Sequence, residues 1–150
     1  MNQMTTAEFL RQLYIKEVFE IIPGHPYMAY MIMGAGIEFL GKILEQSMRQ
    51  DWNTRRKSKD DFNTAMKLSG LSRYSGISNL YESLRCGLLH AGCPGKGLRL
   101  GNILDKENLQ GPNYVLNLAN FYMAFKSACD EVLENSELQS VLSASFLSIG

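Results

Sequence analysis

The chain has 150 residues, 45% of them hydrophobic, and its 15 basic side chains balance 15 acidic ones. This hydrophobic content excludes an intrinsically disordered chain, which needs low hydrophobicity and a high net charge. The zero net charge argues against a dedicated non-specific DNA-binding protein, because such binding depends on an excess of basic residues that neutralise phosphates. The length predicts one domain over residues 1–150, with no internal repeat and no linker.

The cysteines and the apolar stretches bear on the cellular compartment. Cys86, Cys93 and Cys129 are odd in number and irregularly spaced, which suits a reducing compartment better than a disulfide framework. Charged residues interrupt the apolar residues near the start, so we expect no secretory signal there. The longest apolar stretch, residues 27–37, is shorter than the roughly 20 residues that span a bilayer. We therefore expect a cytoplasmic protein with no membrane partner.

Two helices are predicted in the first third of the chain. Thr5 and Glu8 have the spacing of a capping box, and apolar residues recur at helical spacing from there to Ile22. The sequence PGHP at residues 23–26 ends this helix, because proline cannot continue the hydrogen-bond ladder. Residues 27–50 predict a second helix, which is apolar on nearly every side in its first half and should be central and buried.

Glycines and polar residues mark the next features. The second helix contains three glycines at which we expect a neighbouring backbone to come close: Gly34, Gly36 and Gly41. Residues 51–60 predict a polar connection. A short helix around Phe62 and Met66 is expected to end at Gly70, since glycine is common just beyond helix C-termini.

The second half of the chain predicts two more long helices. One begins near Ser78 or Asn79, and its buried stripe consists of leucines: Leu80, Leu84 and Leu88. Between residues 97 and 118, apolar and polar residues alternate, which favours a small β-hairpin or a similar excursion. A helix from Asn117 follows, and residues 136–150 form either a weak helix or a frayed tail. The fold class is therefore all-α, a bundle of four to five helices with a small β-hairpin before the last long helix.

Arg85 and His90 are the candidate catalytic residues. An arginine can hold a phosphate by paired hydrogen bonds, and a histidine that titrates near neutrality can move protons. These two functions suffice to cleave RNA without a metal, when the 2′-hydroxyl attacks the adjacent phosphorus and the leaving oxygen takes a proton. On one helix the two residues are separated by about 7.5 Å of rise and about 140° of rotation, so they flank a cleft rather than touch.

Residues 80–92 (LYESLRCGLLHAG) resemble the signature of the HEPN superfamily, in which an arginine, a short spacer and a histidine close a long helix. The resemblance loosely covers residues 5–134. It implies a metal-independent endoribonuclease of a toxin–antitoxin or defence system that needs no cofactor. It also implies a homodimer whose two copies bring Arg85 and His90 to one cleft, with RNA as substrate and an antitoxin or another protein as partner.

Two alternatives stay open. Active members of the superfamily often carry a polar residue directly after the arginine, whereas this chain has Cys86, so the domain could instead be a non-catalytic HEPN-like module for binding or dimerisation. Arg85 could also pair with a surface carboxylate while His90 caps a helix, in an all-α protein with no role in RNA chemistry.

The sequence also offers one candidate metal site and one basic cluster. Cys86, His90 and Cys93 lie close in sequence, but a structural zinc site normally has four ligands, so we expect no metal. The basic cluster could contact an RNA backbone, with Trp52 as a stacking face, or could be a solvated connection; the acidic residues beside it favour the second. Its basic members are Arg49, Arg55, Arg56, Lys57 and Lys59.

Overall fold

The computed structural model describes residues 3–45, 58–77, 80–84 and 97–147. Helices dominate these residues, so the broad all-α prediction is confirmed. At the N-terminus, three consecutive helical segments form one N-terminal helix: α1 (Thr6–Phe9), a π-helical segment (Leu10–Glu17) and α2 (Val18–Ile21). The later helices are α3 (Pro26–Leu44), α4 (Ser58–Ala65), α5 (Leu118–Glu134) and α6 (Gln139–Leu142), with 3-10 turns at Ser72–Tyr74 and Ser136–Leu138. Residues 80–84 are helical as well.

Short strands form two ladders. Strand β1 (Gln3–Thr5) pairs antiparallel with β4 (Ser145–Leu147), so the predicted tail contains a short helix followed by a paired strand. Strand β2 (Leu98–Leu100) pairs with β3 (Tyr114–Leu116), but the two are parallel. The predicted β-hairpin is therefore wrong, although the strands lie where it was expected. Residues 101–113 carry the chain back to the starting end of β2, because parallel strands need a crossover rather than a tight turn.

The helix starts follow local sequence signals. The Thr5 hydroxyl accepts a hydrogen bond from the Glu8 amide at 3.1 Å, and the Glu8 carboxylate accepts one from the Thr5 amide at 2.9 Å, so the predicted capping box is confirmed. The Asn117 side chain accepts from the Asn120 amide at 2.9 Å and begins α5, also as predicted. Pro26 occupies the first turn of α3, where its missing N–H costs nothing.

Helix α3 is the central helix. It has 19 residues, and the mean hydropathy of its most apolar 18-residue window is 1.2, which by length and composition would let it cross a membrane. This span is longer than the apolar stretch at residues 27–37 considered above, because the helix continues to Leu44. Of its most apolar window, 61% is buried inside the protein, and the core helix of a soluble protein passes the same test. The helix packs against α4, α5 and the N-terminal helix.

Gly41 allows α3 and α4 to touch at the backbone. A Cβ atom on Gly41 would overlap the backbone carbonyl of Asp61, so the predicted close approach is confirmed at this position. Beside it, the Lys42 ammonium contacts the fully buried Asp61 carboxylate at 2.8 Å. At Gly36 the neighbours are instead aromatic side chains, since a Cβ there would lie 2.6 Å from Phe125 and 2.7 Å from Tyr14.

Gly70 does not end a helix as predicted. Helix α4 ends at Ala65, and turns follow it. A Cβ atom on Gly70 would lie 2.7 Å from the carbonyl oxygen of Ala124 and 2.9 Å from the amide nitrogen of Ala128. The absence of a side chain at this position therefore lets the segment after α4 rest directly on the backbone of α5.

We expect Gly41→Ala to destabilise the protein by about 3 kcal/mol, because the added methyl group meets backbone that cannot rotate away. The gain of about 1 kcal/mol in helix propensity from glycine to alanine is too small to offset this. Urea unfolding followed by circular dichroism measures the loss. Gly24→Ala is the matched control, since a Cβ atom at Gly24 meets nothing within 4 Å. Equal stability of the two variants would contradict the close contact.

Candidate functional site

The predicted catalytic pair, Arg85 and His90, lies outside the described residues, and so does the alternative metal set of Cys86, His90 and Cys93. Of the basic cluster, Lys59 alone is described. The roles assigned to Arg85 and His90 therefore stay predictions. The structure does describe the helical residues 80–84 immediately before Arg85 and the surface beside them.

Residues 80–84 are fixed against α4 by apolar packing, an aromatic contact and an ion pair. Leu80 and Leu84 are buried, as the predicted stripe requires. The Tyr81 ring meets the Phe62 ring edge to face, with the centroids 5.4 Å apart. At the surface, the Lys59 ammonium donates to the Glu82 carboxylate at 2.5 Å. This hydrogen bond lowers the pKa of the Glu82 carboxyl group, which therefore stays ionised near neutral pH.

A groove of about 590 Å³ runs beside this turn, between α4, the Ser72–Tyr74 turn and residues 80–82. Its buried surface is apolar and aromatic, while its rim is polar and carries two lysines. The apolar lining consists of Phe62, Met66, Tyr74, Ile77, Leu80 and Tyr81, and the polar lining of Lys59, Asn63, Lys67, Ser72, Ser75 and Glu82. This volume is within the usual range of roughly 300–1,000 Å³ for pockets that hold small ligands.

The groove is equipped to bind rather than to catalyse. Lys67 is exposed at its rim and can meet a phosphate, while Asn63 offers amide donors and acceptors. The Tyr81 ring is half-buried and offers an aromatic surface for stacking. The one carboxylate among the described lining residues, Glu82, is held ionised by Lys59, and its lowered pKa makes it a poor proton donor and a weak base at neutral pH. An acid–base group has to come from elsewhere.

A second polar cluster, centred on Glu107, was not predicted. Its carboxylate is paired with the Arg73 guanidinium and accepts a hydrogen bond from the Tyr74 hydroxyl at 2.9 Å. Burial raises the pKa of Tyr74, and the hydrogen bond to Glu107 adds to the rise. In a neighbouring contact, Tyr30 donates to the Gly101 carbonyl at 2.6 Å, and burial raises its pKa too. These bonds attach the crossover to α3 and to the Ser72–Tyr74 turn, so the cluster is structural.

The remaining candidates have no catalytic arrangement. Cys129 is fully buried in α5, and burial raises the pKa of its thiol, so it is not a reactive nucleophile. His25 is exposed just before α3. Within the described part of the chain, no group of three His, Cys, Asp or Glu side chains is placed to hold a metal ion.

No protein-family model matches this chain, and no curated protein or solved structure matches it either.

We expect Tyr30, Tyr74 and Tyr122 to resist ionisation while the protein is folded. Burial raises the pKa of all three above the ordinary value of 10.0. Because the folded state favours the neutral phenol, the free energy of unfolding should be constant up to about pH 10 and fall at higher pH. Alkaline titration of tyrosinate absorbance, with circular dichroism in parallel, measures this. Ionisation of every tyrosine near pH 10 in a protein that stays folded would contradict it.

Proposed function

We propose that this chain is a HEPN-like domain of four to five helices that acts on RNA as a metal-independent endoribonuclease of a toxin–antitoxin or defence system. Arg85 and His90 are its catalytic residues, and its compartment is the cytoplasm. The observation that carries the proposal is the groove beside residues 80–84, directly before Arg85. Its lysines, amide and tyrosine ring suit a nucleic-acid strand entering the site.

In the proposed reaction, Arg85 grips the scissile phosphate with two parallel hydrogen bonds and stabilises its developing negative charge. The 2′-hydroxyl of the preceding ribose attacks the phosphorus and loses its proton to a base. The bond to the 5′-oxygen breaks, that oxygen receives a proton, and a 2′,3′-cyclic phosphate remains. His90 serves as the acid or the base, because an imidazole exchanges protons near neutral pH.

The same proposal requires a homodimer. On a continuous helix Arg85 and His90 would be separated by about 140°, so neither would complete the contacts of the other on a single phosphate. A second copy facing the first would bring two arginines and two histidines around one phosphate. The proposed reaction needs no metal or cofactor, because the two arginines stabilise the charge and the two histidines transfer protons.

The groove would hold RNA next to the reacting phosphate. Lys67 would neutralise a flanking phosphate, while Tyr81 would stack on a base and Asn63 would bond to its edge. The pairing of Lys59 with Glu82 leaves Lys67 as the main positive charge among the described residues of this rim. Because Glu82, the one carboxylate among the described lining residues, is a poor proton donor and a weak base at neutral pH, the groove also suits binding in the alternative, non-catalytic HEPN-like module.

We expect His90→Ala to reduce RNA cleavage about 10²–10⁴-fold, because the reaction loses its acid–base group. Arg85→Lys should reduce cleavage by a similar factor, since lysine keeps the positive charge but cannot form two parallel hydrogen bonds to the phosphate. Cleavage of a labelled single-stranded RNA in excess chelator measures both effects. Light scattering should show a dimer for wild type and both variants. Cleavage that is unchanged by both substitutions would indicate a contaminating nuclease. Binding of RNA by the wild type without cleavage would favour the non-catalytic module.

We expect Lys67→Glu to weaken binding of single-stranded RNA and to reduce the salt dependence of binding by about 0.7 in the slope of log K against log salt, as for one lost phosphate contact. Lys106→Glu is the matched control, because Lys106 is an exposed lysine that does not line the groove. Fluorescence anisotropy over a salt series measures both slopes. Equal slopes for the two variants would remove the groove from the RNA-binding surface.

A further inference from the structure

A second groove lies between the N-terminal helix and α5, on elements that do not line the first. Its volume is about 340 Å³, and its exposed surface is mostly apolar. The apolar lining residues are Ile15, Phe19, Tyr122 and Met123, and the charged ones are Lys16, Glu20 and Lys126. We call it the Phe19–Met123 groove. Phe19 is 63% exposed and Met123 is 61% exposed, although both are large apolar side chains. Exposed apolar side chains gathered at one groove indicate a surface that another molecule covers.

The groove is preformed rather than loosely packed. The Tyr122 hydroxyl donates to the Ile15 carbonyl in the π-helical segment at 2.9 Å, which fixes the ring between the two helices. The Phe19 ring packs against the Tyr122 ring, with the ring centroids 5.6 Å apart. A partner would therefore meet walls that need little ordering, which lowers the entropic cost of binding.

One end of the groove continues into an acidic strip on α5, formed by Asp130, Glu131 and Glu134. The strip lines a shallow surface depression that shares Met123 and Lys126 with the groove. Lys126 pairs with Asp130 at 2.9 Å, so Glu131 and Glu134 supply the net negative charge. The Glu131 carboxylate accepts hydrogen bonds from the Ser69 amide at 3.1 Å and hydroxyl at 3.3 Å, which fix its position and leave its charge in place. Both lie near the C-terminus of α5, whose last turn has no basic residue. Since a helix C-terminus is itself negative, carboxylates there oppose helix stability and favour a cationic partner.

We propose that the Phe19–Met123 groove and the acidic strip together bind an amphipathic helix of a partner protein, with apolar residues in the groove and lysine or arginine over the strip. Glu131 and Glu134 follow Met123 by eight and eleven residues on α5, which corresponds to about 12 and 17 Å along the helix. A partner helix lying along α5 therefore needs its basic residues two to three turns beyond its apolar anchors.

A second copy of this chain fits less well. The groove end carries Lys16 and Glu20, whose charges cancel, so a copy that docked symmetrically through the same groove would bring no net positive charge to Glu131 and Glu134. The proposal is independent of RNA cleavage, because neither surface needs Arg85 or His90.

Two labelled designed peptides of about 18 residues test this, both with leucines along one helical face. One carries lysines on the other face, and its twin carries glutamates. In fluorescence anisotropy at about 0.15 M salt, the lysine peptide should bind the full chain about tenfold more tightly than its twin. Phe19→Asp should weaken binding of the lysine peptide about tenfold. Leu104→Asp, which places the same change at a residue 94% exposed and outside the groove, should not.

Charge-reversal variants distinguish specific binding at the acidic strip from non-specific binding of the peptides. Glu134→Lys should weaken the lysine peptide and strengthen the glutamate peptide, whereas Glu17→Lys, on a residue that does not line the groove, should change neither. Equal binding of the two peptides, or indifference to Phe19→Asp, would overturn the proposal. So would a concentration-dependent dimer that Phe19→Asp abolishes, because the groove would then belong to a second copy. Circular dichroism of each variant establishes that it is folded, and Met123→Asp replaces Phe19→Asp if the latter is not.

Discussion

The direct backbone contact between α3 and α4 at Gly41 determines the position of much that surrounds it. Without a side chain at Gly41, the Asp61 carbonyl comes against α3, and the Asp61 carboxylate then reaches Lys42. Burying that carboxylate is tolerable because its charge is met by the lysine. Helix α4, held in this position, presents Phe62 and Lys59 to the helical residues 80–84. The groove beside those residues is thus a consequence of how closely two helices pack.

A second constraint holds the long crossover between β2 and β3. Tyr30 from α3, Tyr74 from the turn after α4, and Asn117 at the start of α5 each bond to this segment or to Glu107 within it. Buried polar groups need hydrogen-bond partners, and here the Tyr74 hydroxyl bonds to the Glu107 carboxylate while Tyr30 and Asn117 bond to backbone carbonyls of the crossover. The two surfaces of interest lie on other elements. The lysine-rimmed groove is on α4 and the residues that follow it, whereas the Phe19–Met123 groove is on the N-terminal helix and α5.

The predicted helix caps, which depend on neighbouring residues, were confirmed, as was the close approach at Gly41. The strand direction and the role of Gly70, which depend on distant residues, were predicted wrongly. The Thr5–Glu8 capping box and the Asn117 cap depend on contacts three residues apart, which the sequence specifies directly. Alternation near Leu98 located a strand but could not give its direction, because parallel and antiparallel pairing share the same side-chain period. Gly70 was assigned to a helix end, yet its role is set by the Ala124 and Ala128 backbone more than fifty residues away.

The sequence by itself determined the helical character of the chain, the starts of the N-terminal helix and α5, the central helix and the presence of the Arg85–His90 motif, because hydrophobic period, capping groups and motif spacing are local properties. It did not give the start of α4, which begins at Ser58 inside the predicted polar connection. Tertiary structure alone decided that Lys67, Tyr81 and Asn63 share one groove and that Phe19 lies beside Met123. These pairs are brought together by helix packing. The closeness of that packing depends on positions without a side chain, such as Gly41, and on the residues of the other helix that lie opposite them. No single stretch of sequence specifies which residues lie opposite each other.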